Sequence, residues 1–438
     1  MVKKHSVLLK EEKCVGCTNC VKNCPTKAIR VHQGKAMIKG ELCIDCAECI
    51  RTCAYHAKYT ETAGLEDLAA YPYPVALVPP SFYGQFEQTD PDRVVAALYQ
   101  LGFKGVYDVA RAAEAVSLQT IEFLNEHEGM YISSSCPGVV RLIKIIYPEL
   151  LADLIPFKSP VELMAERVRQ ELEQQGVPPG DMGLFFFTPC PAKLTTITNP
   201  LGMERSYLDQ AIAVEKVYPA IIKQLNQEQL TGVAGDGPVP FLGISWGQSG
   251  GETTILKRKK TNGILSVSGI HNVKRVLDEI DRNNIKGIKY LELSACSQGC
   301  VGGILNVLNP FQAKYNLQRL SSGDQQLVER NTGEYNFRLS RKFKAGDVGK
   351  LADDFDLALE KLAQLEEEIK VLPGLDCAAC GAPDCETLAE DIVSGRAQRT
   401  DCIFVLREQV GKLADRMSEL AHALPPVMKK KKDRRAHV

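Results

Sequence analysis

Glu292-Leu293-Ser294-Ala295-Cys296-Ser297-Gln298-Gly299-Cys300-Val301-Gly302-Gly303 begins as an apolar strand and turns into a glycine-rich loop bearing two cysteines. Only two more cysteines, Cys136 and Cys190, lie between residues 60 and 370. Each stands in a comparable place. Cys136 follows the apolar run 130–133 and Ser134-Ser135, and Cys190 follows Phe185-Phe186-Phe187-Thr188-Pro189. Around them, residues 75–345 alternate apolar strands (75–78, 105–109, 130–133, 183–188, 289–293) with amphipathic helices (92–101, 110–127, 138–147, 160–175, 207–226, 272–283). Alternation of this kind predicts an α/β core with a largely parallel sheet. In such sheets ligands bind beyond the carboxyl ends of the strands. Three strand ends far apart in sequence would therefore deliver Cys136, Cys190, Cys296 and Cys300 to one place. Inert buried cysteines are the competing reading, and they give no reason for the shared placement. Glycine-rich stretches at 232–252 and around 302–303 read as loops.

Upstream, residues 1–62 hold eight cysteines in two runs, Cys14-x2-Cys17-x2-Cys20-x3-Cys24-Pro25 and Cys43-x2-Cys46-x2-Cys49-x3-Cys53. Three thiolates two residues apart wrap a tight loop around one face of a cubane, and the fourth ligates the other cluster. One cubane should therefore take Cys14, Cys17, Cys20 and Cys53, and the other Cys43, Cys46, Cys49 and Cys24. Zinc or free thiols are the bland alternative. The segment resembles two-cluster ferredoxins, with Ala54 where proline is usual in the second run. Residues 63–74, around Tyr71-Pro72-Tyr73-Pro74, read as a linker.

Downstream, residues 351–424 are helical and charged, and carry Cys377-x2-Cys380-x4-Cys385-x16-Cys402. This frame resembles a small [4Fe-4S] domain of electron-transfer subunits and corrinoid proteins, with zinc as the alternative. A helix over 384–395 would place Cys385 at its start, where the helix dipole favours thiolate charge. Leu406, Val410, Leu413, Met417, Leu420 and Leu424 form a heptad-like stripe, nearly matched by Phe355, Leu359, Leu362, Leu365 and Ile369. Such stripes fit two helices packed within one chain, or a coiled coil between two chains as a homodimer. Pro425-Pro426 should end the second helix. Residues 425–438 form a basic tail from Lys429 to Arg435, either a solvated end or a docking patch for an acidic partner or membrane surface.

The 438 residues carry a formal charge of −1, which offers no global field for nucleic acid. No apolar run approaches the ~20 residues of a membrane span, and Met1-Val-Lys-Lys-His leads into charge. The chain reads as cytoplasmic, and sixteen cysteines in a reducing compartment point to metal rather than disulfides.

Three ordered motifs then become specific. Ser134-Ser135-Cys136-Pro137-Gly138, Thr188-Pro189-Cys190-Pro191-Ala192-Lys193 and the 292–303 stretch resemble the H-cluster motifs of [FeFe]-hydrogenases, with Lys158-Ser159-Pro160, Gly250-Gly251 and Val267-Ser268-Gly269 in the expected order between them. The resemblance spans about 75 to 310. It implies that Cys136, Cys190, Cys296 and Cys300 hold a cubane, and that Cys300 bridges to a diiron unit bearing carbon monoxide, cyanide and an azadithiolate. With three further [4Fe-4S] clusters, two N-terminal and one C-terminal, that accounts for all sixteen cysteines. It also implies that Lys193 hydrogen-bonds one cyanide, and that Pro80 and Ser81 face the other unless they only form a strand-end turn.

Several positions depart from the efficient members of that family. Ser135 stands where a proton-relaying cysteine is usual, and its hydroxyl is the weaker acid. Thr188 and Ser294 replace methionines that flank the diiron site, which should make the pocket more polar. Gln119 and Glu122 align with the two glutamates of the proton path, Glu122 having a helix-surface role as its alternative. These losses resemble the sensory branch. The expected function is interconversion of dihydrogen with protons and electrons at low turnover, in dihydrogen or redox sensing. The alternatives are a catalytic ferredoxin-linked hydrogenase and a non-catalytic iron–sulfur protein without the diiron unit. Expected partners are dihydrogen and protons, a redox protein such as ferredoxin, and a signalling partner at the C-terminus.

Overall fold

Tyr73–Val78 and Met182–Thr188 are continuous apolar runs buried on both faces, as central strands of a parallel sheet are. In the computed structural model, which describes residues 4–87, 89–227, 240–321, 335–346, 351–352, 354–423 and 426–428, they pair with each other. The full sheet runs Gly105–Asp108, Tyr73–Val78, Met182–Thr188, Gln210–Ala213, all parallel. From Tyr73–Val78 the chain crosses to one side, and only later reaches Met182–Thr188 on the other. Those two adjacent strands thus flank a topological switch point, where a crevice opens. Pro80-Ser81 leaves one of them and Pro189-Cys190 the other.

A second parallel sheet runs Ile264–Ser268, Tyr290–Ser294, Tyr131–Ile132. Cys136 follows its last strand and Cys296 its middle one. One apolar core packs on each face of the first sheet, and a third surrounds the second sheet.

The N-terminal domain repeats a small unit. Val7–Leu9 pairs antiparallel with Lys58–Thr60, and Ile29–His32 with Lys35–Ile38. The short helices Asn19–Lys22 and Glu48–Arg51 each follow a cysteine run and touch each other.

Several expectations change. Residues 63–74 are not a bare linker: Leu65–Ala70 is a 3-10 helix, Ala63 bridges Ile212, and the Tyr71 ring meets Phe185 edge-on at 5.6 Å. The helix expected over 207–226 is a strand, Gln210–Ala213, followed by a helix, Val214–Leu225. Its Ala211, Ile212 and Ala213 are all buried, and pairing with Met182–Thr188 overrides local propensity. Strand Ile264–Ser268 escaped notice because its burial is only partial. The loop expected at 232–252 contains helix Phe241–Ile244 and the start of Gly251–Arg258; its 232–239 portion lies outside the described residues, as does the tail from Lys429.

The C-terminal helices are Phe355–Val371, Cys385–Val393 and Ile403–Ala421. The last ends at Ala421, ahead of the two prolines. The first packs on the second through Leu365, beside buried Leu372, Leu388 and Val405. The two long helices do not cover each other's stripes. Leu406, Val410, Leu413, Met417 and Leu420 stay exposed, as do Phe355, Leu359, Leu362 and Ile369. The internal hairpin reading therefore fails among the described residues.

Candidate functional site

The crevice between the two sheets is a cavity of about 100 Å³, walled by Cys136, Cys190, Cys296 and Cys300. Three local devices aim these thiols inward. Cys136 and Cys190 each precede a helix that opens with proline, Pro137–Ile146 and Pro191–Thr198; proline suits a first helical turn, where its missing N–H is not needed. Cys300 begins a 3-10 turn, Cys300–Gly302, and Asn306 Nδ2 donates to the Cys300 and Val301 carbonyls at 2.8 and 2.9 Å. Gly303 locks the third motif onto the second: a Cβ there would lie 2.2 Å from Pro189 O.

Burial pushes the Cys190, Cys296 and Cys300 thiols up, Cys300 to about 12 even though Lys193 pulls it down, and the thiols raise one another. Four buried thiols in one wall resist ionising together. A bound cationic cluster relieves that repulsion, which is why metal and thiolate formation are linked. The fit to a cluster with an extra unit has two further supports. Ser81 Oγ is fully buried at the cavity wall with no hydrogen-bond partner, so an acceptor or donor is called for there. The cavity also exceeds those around the other thiol sets, about 20, 20 and 10 Å³. Lys193, Pro80, Ser81, Ser135 and Ser294 all line it.

Two expected contributors are not brought there. Thr188 is absent from the lining; its Oγ1 donates to Cys190 O at 2.8 Å and so supports the turn. Gln119 and Glu122 lie on the solvent side of helix Val109–Glu126, where Gln119 Nε2 donates to Glu122 at 3.1 Å. They do not line the cavity, so the reading of a proton path broken at Gln119 is withdrawn.

Acidic residues that the sequence reading missed take their place. Glu252 and Glu292 line the cavity from inside the protein. Glu252 accepts hydrogen bonds from Ser133 Oγ (2.9 Å) and from Tyr290 OH. Glu292 accepts from the Gly250 and Thr253 backbone N–H groups at 2.7 and 3.0 Å, and meets Ser266 on the half-exposed edge strand. Burial raises both carboxyls, and Glu292 adds to the rise of Glu252, to about 8. Backbone donors restrain Glu292, so the pair keeps its charge there and its proton on Glu252. Only the presence of a glutamate inside the Gly250-Gly251 helix start hinted at this.

The remaining twelve cysteines form three sets. Cys14, Cys17, Cys20 and Cys53 line one cavity, and Cys24, Cys43, Cys46 and Cys49 another. Cys377, Cys380, Cys385 and Cys402 line a third. The second cavity shares Asp45 and Cys46 with the core cavity. Arg141 is buried between them, 4.0 Å from Asp45 and donating to Ala192 O at 3.0 Å.

The model of the iron only hydrogenase large subunit, C-terminal domain, matches residues 73–239 and 241–304. A 4Fe-4S dicluster domain matches 6–54, and an Fe-S cluster family matches 372–404. Iron hydrogenase 1 of Clostridium pasteurianum is 24% identical over 266 residues, 48% of this chain and 44% of that protein. An uncharacterized protein of Methanocaldococcus jannaschii is 29% identical over 80 residues, 18% of this chain and 36% of that one. The chain thus spans less than half the length of either relative. A solved variant of the [FeFe]-hydrogenase HydA1 from Chlamydomonas reinhardtii shares the fold at a TM-score of 0.50 and 16% identity, over 64% of this chain and 98% of that one. With the catalytic-domain model covering more than half of its length, the chain belongs to the iron-only hydrogenase family.

Proposed function

We propose that the core cavity holds an H-cluster, a cubane on Cys136, Cys190, Cys296 and Cys300 with a diiron unit reached through Cys300, and that the chain interconverts dihydrogen with protons and electrons. The observation that carries this is the convergence of four thiols with Lys193 and the unpartnered Ser81 hydroxyl on one enlarged cavity. When bound, the cluster supplies an open iron position for dihydrogen and an adjacent amine base. The chain's own residues do the rest. Lys193 offers a buried ammonium to an anionic ligand, a strong charge-assisted contact. Ser81 offers a hydroxyl and Pro80 a rigid turn beside it. Glu252 holds a proton at the wall, and Glu292 and Ser266 lead from it toward solvent.

Low turnover in a sensing role follows from Ser135 and the appended C-terminal domain. The buried carboxyl pair favours a second reading, a catalytic hydrogenase exchanging electrons with a ferredoxin, because it provides a proton store that does not depend on residue 135. Infrared spectra of the maturated protein test the core assignment. Carbon monoxide and cyanide bands are expected, with iron rising from about sixteen to about eighteen per chain on maturation, four cubanes plus two irons. No bands and no added iron would leave a non-catalytic iron–sulfur protein.

The exposed stripe on Ile403–Ala421 fits a second copy of the same helix. Its flanks carry both signs of charge, Glu408 with Lys412 at 2.6 Å among them, so two copies can meet without a like-charged seam. Sedimentation of the full chain should give a dimer, and a chain ending after Lys350 a monomer. A monomeric full-length protein would exclude the coiled coil. Among the described residues no helix is long and apolar enough to cross a membrane.

A further inference from the structure

The C-terminal domain is seated on the strand Ile29–His32 of the ferredoxin-like domain. Val31 N–H donates to Gly381 O at 2.9 Å. Gly381 lies between Cys380 and Cys385 at φ +87°, and a Cβ there would stand 2.0 Å from Val31 O. Only glycine lets the two backbones approach so closely. Ala378, next to Cys377, is buried among Cys20, Val21, Ile29 and Cys49.

Ion pairs hold this seat. Arg30 and Asp391 pair with each side chain only 4% exposed, and Asp391 also accepts from Lys39 Nζ at 2.7 Å. Lys27 reaches Asp384 at 2.8 Å. Burial raises the Asp391 carboxyl, but the bonds from Lys39 and Arg30 outweigh it and hold the group below the usual range. Desolvating such charges costs several kcal/mol per ion, so a buried pair adds little stability. What it adds here is a single fixed arrangement of the two domains.

On its other side Val31 lines the cavity of Cys14, Cys17, Cys20 and Cys53. One residue therefore separates two thiol quartets. The short helices Asn19–Lys22 and Glu48–Arg51 join the first quartet to the second, and Asp45 and Cys46 join the second to the core cavity. The four quartets form an unbroken row, with exposed Cys377 at one end and the buried core at the other.

We propose that the C-terminal quartet is the outer terminal of this row, where an external one-electron carrier protein is reduced or oxidised, and that electrons cross to the first quartet at the Gly381–Val31 junction. The proposal rests on the cluster assignments above and not on the diiron unit. During dihydrogen oxidation two electrons leave the core for two protons released. Each electron reduces the second, first and C-terminal sites in turn, and each site is reoxidised by the next. The carrier is the final acceptor, no bond to protein forms or breaks, and no proton accompanies the relay. The rival terminal is the first quartet itself, since Cys17 is also exposed.

The test uses the full chain carrying its cubanes but no diiron unit, so infrared failure and failure here are separable. In the dithionite-reduced protein, electron paramagnetic resonance should show spin–spin interaction between the C-terminal and first clusters. That interaction should vanish when Cys377, Cys380, Cys385 and Cys402 are all replaced by alanine. It should weaken in Gly381→Ala, whose iron content stays at the wild-type level. In stopped flow, reduction of the N-terminal clusters by a pre-reduced ferredoxin should slow by an order of magnitude in the four-alanine variant, and less in Gly381→Ala. Simply additive signals in the wild type, or an unchanged reduction rate, would overturn the proposal and make the Cys17 side the port. Should the four-alanine variant fail to fold, the Gly381→Ala comparison decides alone.

Discussion

Cys300→Ala should abolish the carbon monoxide and cyanide bands and all dihydrogen turnover, while the other three quartets keep their iron. Cys300 is the thiol through which the diiron unit is proposed to be held, and no other side chain of the wall can replace it: Lys193 is a cation, and Ser135 and Ser294 are hydroxyls. The turn that carries residue 300 is held by Asn306 through backbone carbonyls, so it survives loss of the thiol. Truncating one small buried side chain costs about 1 kcal/mol in the apo chain, and its melting temperature should shift by only a few degrees. Iron analysis separates this from unfolding. The variant should retain about twelve irons, four on each of the three outer sets. Bands of wild-type intensity in the variant would show that Cys300 does not hold the diiron unit.

Glu252→Gln should change the pH dependence of both proton exchange and stability. Burial and the neighbouring Glu292 raise the Glu252 carboxyl from 4.5 to about 8. The folded chain therefore keeps a proton there that the unfolded chain gives up. This contribution to stability is complete below the unfolded value and is lost as pH rises through the folded one. In that window stability falls by about 1.4 kcal/mol per pH unit per proton. Glutamine is isosteric, still accepts from Tyr290, and cannot ionise. The difference between wild-type and variant unfolding free energies should thus slope between about pH 5 and 8 and level off on either side. Urea unfolding at several pH values reads it. If the proton on Glu252 also serves the core, the variant's exchange of dihydrogen with deuterated water should fall 10²-fold or so, within the range for losing a general acid–base. The infrared bands should keep their wild-type number. A flat difference curve would show that Glu252 is ionised in the folded protein.

Much of this site was legible in the sequence, and for a local reason. A cubane held by thiols two residues apart needs only a tight loop. The exchange of Cys24 and Cys53 between the two N-terminal sets follows from the same geometry. Strand ends were legible too: an apolar run followed by proline or glycine and a cysteine places the thiol at the carboxyl edge of a parallel sheet wherever the other strands lie. Pro80, Ser81, Lys193 and Ser135 could be assigned because each sits within a few residues of such an edge.

The tertiary structure alone decided which distant groups meet. Gln119 and Glu122 share a helix that packs on the core, yet its rotation about its own axis turns them to solvent. That rotation is set by Ala112, Ala113, Val116 and Leu124 burying against neighbouring elements. Glu252 and Glu292 come from a helix and a strand with no sequence relation, and only their common burial couples their protons. The two leucine stripes look complementary as sequences and still do not meet. The C-terminal quartet is instead drawn to the ferredoxin-like strand by Arg30 and Lys39 on Asp391 and by the close approach of Gly381 to Val31. Ligand spacing is a property of a short loop, and a short loop is specified by its own residues. Burial, side-chain facing and pairing of charges are properties of surfaces that exist only once the chain has closed on itself.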